Sequence, residues 1–145
     1  MSTGLQHKMA HIAVINGTWT PTMIGQATAG TTTYTLQSGI YVKIGRLVYV
    51  VGHMNISGAT GTGRVLLGGF PFAFTGLTSR PEGICVLNST TWSWQVGRGN
   101  LKLFTRPTET NSDLVSMGSA RTMAFQQMQN VAANFSLSMV YQTAS

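Results

Sequence analysis

Few residues in this 145-residue chain could do acid–base, nucleophilic or metal chemistry: Glu82, Glu109 and Asp113, then His7, His11 and His53, and the single Cys85. Glycoside hydrolysis ordinarily needs two carboxylates flanking the scissile bond. Glu109 and Asp113 stand four apart in a polar stretch, and that spacing alone does not make them a pair. A Ser-His-Asp set would have to join a histidine to Asp113, and no G-x-S-x-G elbow presents the serine. His53 shares a strand face with Val51 and Asn55, as a surface or interface residue would. His7 and His11 could chelate a metal if helical, but no neighbouring Cys, Asp or Glu completes a shell. Cys85 lies beside Ile84, Val86 and Leu87, where a thiol behaves as a small buried hydrophobe. A lone cysteine also forms no intrachain disulfide. The stretch GATGTGR at 58–64 lacks the G-K-[ST] ending of a phosphate loop and reads as a hairpin tip. The sequence therefore points away from an enzyme and implies no cofactor and no metal.

Binding chemistry is the better expectation. Trp92 and Trp94 alternate with polar residues on one strand face. Such a pair either fills a core or makes a flat platform on which sugar rings stack through their apolar CH faces. Asn88, Ser89 and Thr90 next to it, with Arg98, would supply a hydrogen-bonding rim, so Trp92, Trp94, Asn88 and Arg98 are the candidate glycan contacts. The formal net charge is +6, from nine Lys and Arg against three acids. The bases are scattered without a run, which argues against nucleic acid. A basic surface would favour acidic glycans.

The elements that must carry these residues read as all-β. Charged residues are 8% of the chain, against about 25% in an ordinary soluble domain. A bundle of solvent-facing helices needs more charge than that. Residues 31–36 are threonine-rich and β-branched, and Gly39 punctuates them. Along 40–44, Ile40, Val42 and Ile44 take one face and Tyr41 and Lys43 the other. After a Gly45-Arg46 turn, residues 47–56 carry apolar side chains on both faces at their start: Leu47, Tyr49 and Val51 against Val48 and Val50. A sheet covered on both sides would explain that, by a second sheet or by a partner chain. Further strands are expected at 64–67, 83–87, 90–96 and 101–105, with a polar loop at 107–113 and one short helix over 119–129. Residues 135–142 close the chain with Phe135, Leu137, Met139 and Tyr141 inward and Ser136, Ser138 and Gln142 outward. The expected architecture is a single β-sandwich, jelly-roll-like, over residues 17–145. Residues 1–16 precede it as an attachment arm bearing His7, Lys8, His11 and Ile12. No signal peptide and no run of 18 apolar residues is visible, so synthesis in a cytoplasm and no membrane insertion are expected.

A set of motifs adds a resemblance. Gly17-Thr18-Trp19-Thr20-Pro21-Thr22 is followed by Thr31-Thr32-Thr33-Tyr34 and by Gly39-Ile40-Tyr41-Val42-Lys43-Ile44-Gly45-Arg46-Leu47-Val48. Then come Gly61-Thr62-Gly63 and Gly69-Phe70-Pro71-Phe72. In that order they resemble the C-terminal β-sandwich domains of tailed-bacteriophage tail fibres and tailspikes, well over 17–72 and loosely over 84–142. The resemblance implies a jelly-roll-like homotrimer on a virion, made in the host bacterial cytoplasm. It would act as a fibre tip or receptor-binding module for host surface polysaccharide. The alternative is a capsid decoration, head-fibre or baseplate accessory protein that docks on another virion protein through residues 1–16. Trp19, Pro21, Tyr34, Tyr41, Lys43, Gly45, Phe70 and Pro71 match the family pattern as structural residues rather than as a binding site. Fibres normally carry a long shaft or virion-binding domain that this chain lacks, which favours a small accessory protein.

Overall fold

The computed structural model describes residues 12–74, 82–88, 101–105, 112–117, 123–125, 128–129 and 132–144. Among them the chain forms strands only: β1 (Val14–Trp19), β2 (Thr22–Gly25), β3 (Thr32–Ile44), β4 (Leu47–Ala59), β5 (Val65–Gly68), β6 (Glu82–Asn88), β7 (Leu101–Thr105), β8 (Ser112–Met117), β9 (Met123–Phe125) and β10 (Ala133–Gln142). Every pairing is antiparallel, in the order β1-β3-β4-β10-β6-β7-β8-β5-β2, with β9 on β8. The strands form two antiparallel layers packed together, a β-sandwich, as the composition led us to expect.

The period of two decides what is inside. Val48, Val50, Met54 and Ile56 of β4 and Phe135, Leu137, Met139 and Tyr141 of β10 are buried in one cluster. Met23 of β2 and Val65 and Leu67 of β5 close that cluster from the other layer. Side chains also tie β2 to β3: Thr32 Oγ1 donates to the Met23 carbonyl at 2.7 Å, and the Met23 amide donates to the Tyr34 hydroxyl at 2.6 Å.

Three expectations change. Gly39 does not end a strand, because β3 runs unbroken through it with Gly39 paired to Trp19 and Gly52. The irregularity lies earlier, in register shifts between Thr33 and Leu36. The expected helix over 119–129 is replaced at its centre by β9, whose Met123–Phe125 pairs with β8. A few helix-favouring residues do not outweigh a sheet edge that offers backbone partners. The polar stretch at 107–113 ends in strand, since Ser112 and Asp113 open β8. The expected strand at 90–96 lies outside the described residues.

The motifs at 17–22 and 69–72, some fifty residues apart, meet at one corner. Trp19 stacks on Phe70 at 5.0 Å between ring centroids, and Phe70 in turn contacts Phe74 and Tyr141. Tyr41 meets Phe72 edge-on at 5.3 Å, and the Lys43 ammonium lies 5.5 Å from the centre of the same ring. Gln37 Nε2 donates to the Pro21 carbonyl at 2.7 Å. These residues serve packing, as the sequence implied.

Candidate functional site

The side chains singled out for chemistry do not assemble. Cys85 is buried, and burial pushes its thiol well above the ordinary range, which leaves it unreactive. His53 is half-buried on the outer face, and its Nδ1 lies 2.8 Å from Ser136 Oγ. No group of three or more His, Cys, Asp or Glu side chains comes together among the described residues. Glu109, four residues before Asp113, lies outside the described residues. The topology instead sets Glu82 and Asp113 both opposite Phe104, on the strands flanking β7. Two strand spacings, about 9.6 Å, separate their backbones.

The candidate glycan and arm residues fare similarly. Trp92, Trp94 and Arg98 lie outside the described residues, as do His7, Lys8 and His11. Asn88 ends β6 opposite Asn134 of β10. Ile12 is exposed ahead of β1. Val14–Asn16, at the end of the stretch read as an arm, pair with Ile44, Lys43 and Val42 of β3.

What the structure does bring together is an uncovered sheet face. On β1-β3-β4-β10-β6 the rows that point away from the core are largely aliphatic. Val14, Ile44 and Leu47 stand side by side, followed by Val42, Tyr49 and Val140, then by Ile40, Val51 and Ile84. All nine are among the exposed large hydrophobics, with Ile40 and Ile84 each 61% accessible. Val86 and Leu36 extend the patch. Asn16, Thr18, Ser38, His53, Ser136, Ser138 and Gln142 are its polar members, and no Lys or Arg stands in these rows of the five strands, while Glu82 opens β6 two residues before Ile84. The next strand brings Lys102 to the register position opposite Ile84.

The face carries one depression. It has a volume of about 340 Å³ and is lined by Thr18, Ser38, Gly39, Ile40, Val51, Gly52 and His53. On the opposite side of the sheet the same two glycines meet a core side chain. The Trp19 indole lies under Gly39 and Gly52, and its Nε1 donates to the carbonyls of Ile40 and Val51 at 3.2 and 3.0 Å. A Cβ on Gly52 would come within 2.7 Å of the ring. Glycine is needed there for the indole to approach the backbone.

Two of the described cations are turned elsewhere. Lys43 faces the inner side over Phe72 and donates to the Gly45 carbonyl, while Arg46 Nε donates to the Thr143 carbonyl at 3.0 Å. The sequence displayed this face without revealing it. Leu47, Tyr49 and Val51 opposite Val48 and Val50 asked for cover on both sides, and the molecule's own second layer covers only the latter pair. Comparison with family models, curated proteins and solved structures finds no match for this chain.

Proposed function

We propose that this chain is a non-catalytic structural module of a bacteriophage virion, acting at the tail as a fibre-tip or receptor-binding domain. The observation that carries the structural part is the largely aliphatic face of five strands, free of Lys and Arg. Contiguous apolar patches on monomers rarely exceed about 300–600 Å². A larger one is a surface meant to be covered by protein. The virion setting rests on the ordered motifs over 17–72 and their resemblance to fibre-type domains, where three copies of one chain assemble. Trp92, Trp94, Asn88 and Arg98 are the proposed contacts to acidic host polysaccharide.

A second reading keeps the fold and changes the place: a capsid decoration or baseplate accessory protein docked by residues 1–16. Immunogold electron microscopy with an antibody to this chain, on particles released by cells that encode it, separates the two. Label at the tail tip is expected. Label over the head moves the protein to the second reading, and particles without label, with the chain left free in the lysate, remove both. For the glycan contacts, Trp92→Ala and Trp94→Ala should each weaken retention on immobilised lipopolysaccharide at least tenfold. Unchanged retention would dismiss them.

A further inference from the structure

We propose that the outer face of β1-β3-β4-β10-β6 is the surface on which a second copy of this chain docks. The proposal rests on the reading that this face is covered by protein, and it names the cover. Area comes first. The exposed parts of the aliphatic side chains and Tyr49 amount to on the order of 900 Å², against the roughly 800 Å² that each partner gives to a standard-sized interface. One face of one copy is therefore enough for a stable pair.

Charge selects the partner. The chain carries +6, so two copies repel wherever their bases face each other. With no Lys or Arg in its rows, this face is the surface through which they can meet without desolvating a cation. An anionic partner would seek the bases, and on the described part of the chain Lys43 and Arg46 point away from this face. A second copy brings aliphatic surface of the same kind, so apolar area is buried on both sides of the contact.

Shape agrees. The depression over Gly39 and Gly52 runs between the row of Ile40 and Val51 and the row of Ser38 and His53. A ridge such as the Tyr49 row of one copy meets a trench of the other, so the faces interlock rather than slide.

The test is sedimentation equilibrium of the full chain over a wide concentration range, with Ile40→Lys and Val140→Lys beside the wild type. Both residues are exposed, so both variants should keep the wild-type circular dichroism spectrum and melt cooperatively. The wild type is expected to associate, and each lysine should raise the dissociation constant at least a hundredfold. Tyr49→Phe, which keeps the ridge, should associate as the wild type does. A wild type that stays monomeric at about 100 µM, a hundredfold above a micromolar constant, overturns the proposal. So does association that both lysine variants leave intact, since the contact then lies elsewhere. Neither result touches the immunogold outcome, so loss of the self-contact and loss of the virion role are read separately.

Discussion

Trp19 ties three strands and the Phe70 turn together. It is buried, it stacks on Phe70, and it bonds two carbonyls of neighbouring strands through one N–H. Replacing it with alanine should cost about 3–5 kcal/mol, the range for large aromatics in cores. Gly52→Ala should cost about 1–3 kcal/mol because the added methyl overpacks the ring. The two effects share a cause, so they are not additive. In the Trp19→Ala background the Gly52 methyl enters space the indole has left, and its cost should nearly vanish. Urea denaturation of the four proteins in the cycle measures this, and equal Gly52→Ala costs in both backgrounds would refute the close contact. Tyr141 gives a second test. Burial pushes its phenol up to about 12, while its hydroxyl lies toward the Phe72 main chain without reaching hydrogen-bond geometry. A raised phenol favours the protonated form in the fold, so its contribution is whole below the unfolded value near 10 and is lost as pH rises towards 12. Tyr141→Phe should therefore lose less stability than the wild type between about pH 10 and 12. Parallel decline of the two proteins would count against the burial argument.

At the scale of elements, the β3–β4 hairpin shows what was legible in the chain and what was not. Gly45-Arg46 between two alternating runs announced a two-residue turn, and Ile44 pairs with Leu47 across it. Gly45 adopts φ 57°, and only Ile12 approaches the place of its missing Cβ, at 3.9 Å. Its requirement is thus one of backbone conformation. Gly45→Ala should cost about 1–2 kcal/mol, and Gly45→Asn distinctly less, since asparagine tolerates the left-handed region. Thermal melts of both variants check this, and equal losses would point to a steric cause. Gly39 carries the same letter for another reason. Nothing nearby in sequence shows that Trp19, twenty residues earlier, will lie across it, so a glycine set by tertiary contact looks like punctuation. The alternation of Ile40, Val42 and Ile44 was equally plain, but alternation gives two faces and not which one is inside. Tyr41 and Lys43 face inward here because Phe72 waits there. β9 escaped for a related reason: three residues carry too little period to oppose helix-favouring neighbours, and its strand form depends on β8. The candidate site was legible only in part. The two-faced apolar start of β4 asked for a partner, whereas the joining of five such strands into one face required the sheet order.

At the scale of the whole molecule, scarcity of charge and its placement act together. With three acids in 145 residues, the surface cannot support many ion pairs, so association by salt bridges has little material. Nine bases spread over the chain make a field that opposes any approach of two copies. An interface built from Ile40, Val51, Tyr49 and Val140 must draw its attraction from apolar burial against that field. Salt then acts with a definite sign. At about 0.1 M the screening length is roughly 10 Å and at about 0.01 M roughly 30 Å, so added salt removes repulsion between copies while leaving burial intact. The dissociation constant of the self-contact should fall several-fold from about 20 to 300 mM sodium chloride, a span in which the screening length drops below 10 Å. Sedimentation equilibrium at the two salt levels reads it directly. A constant that rises with salt would mean that opposite charges hold the copies together, and the aliphatic sheet face would lose its role.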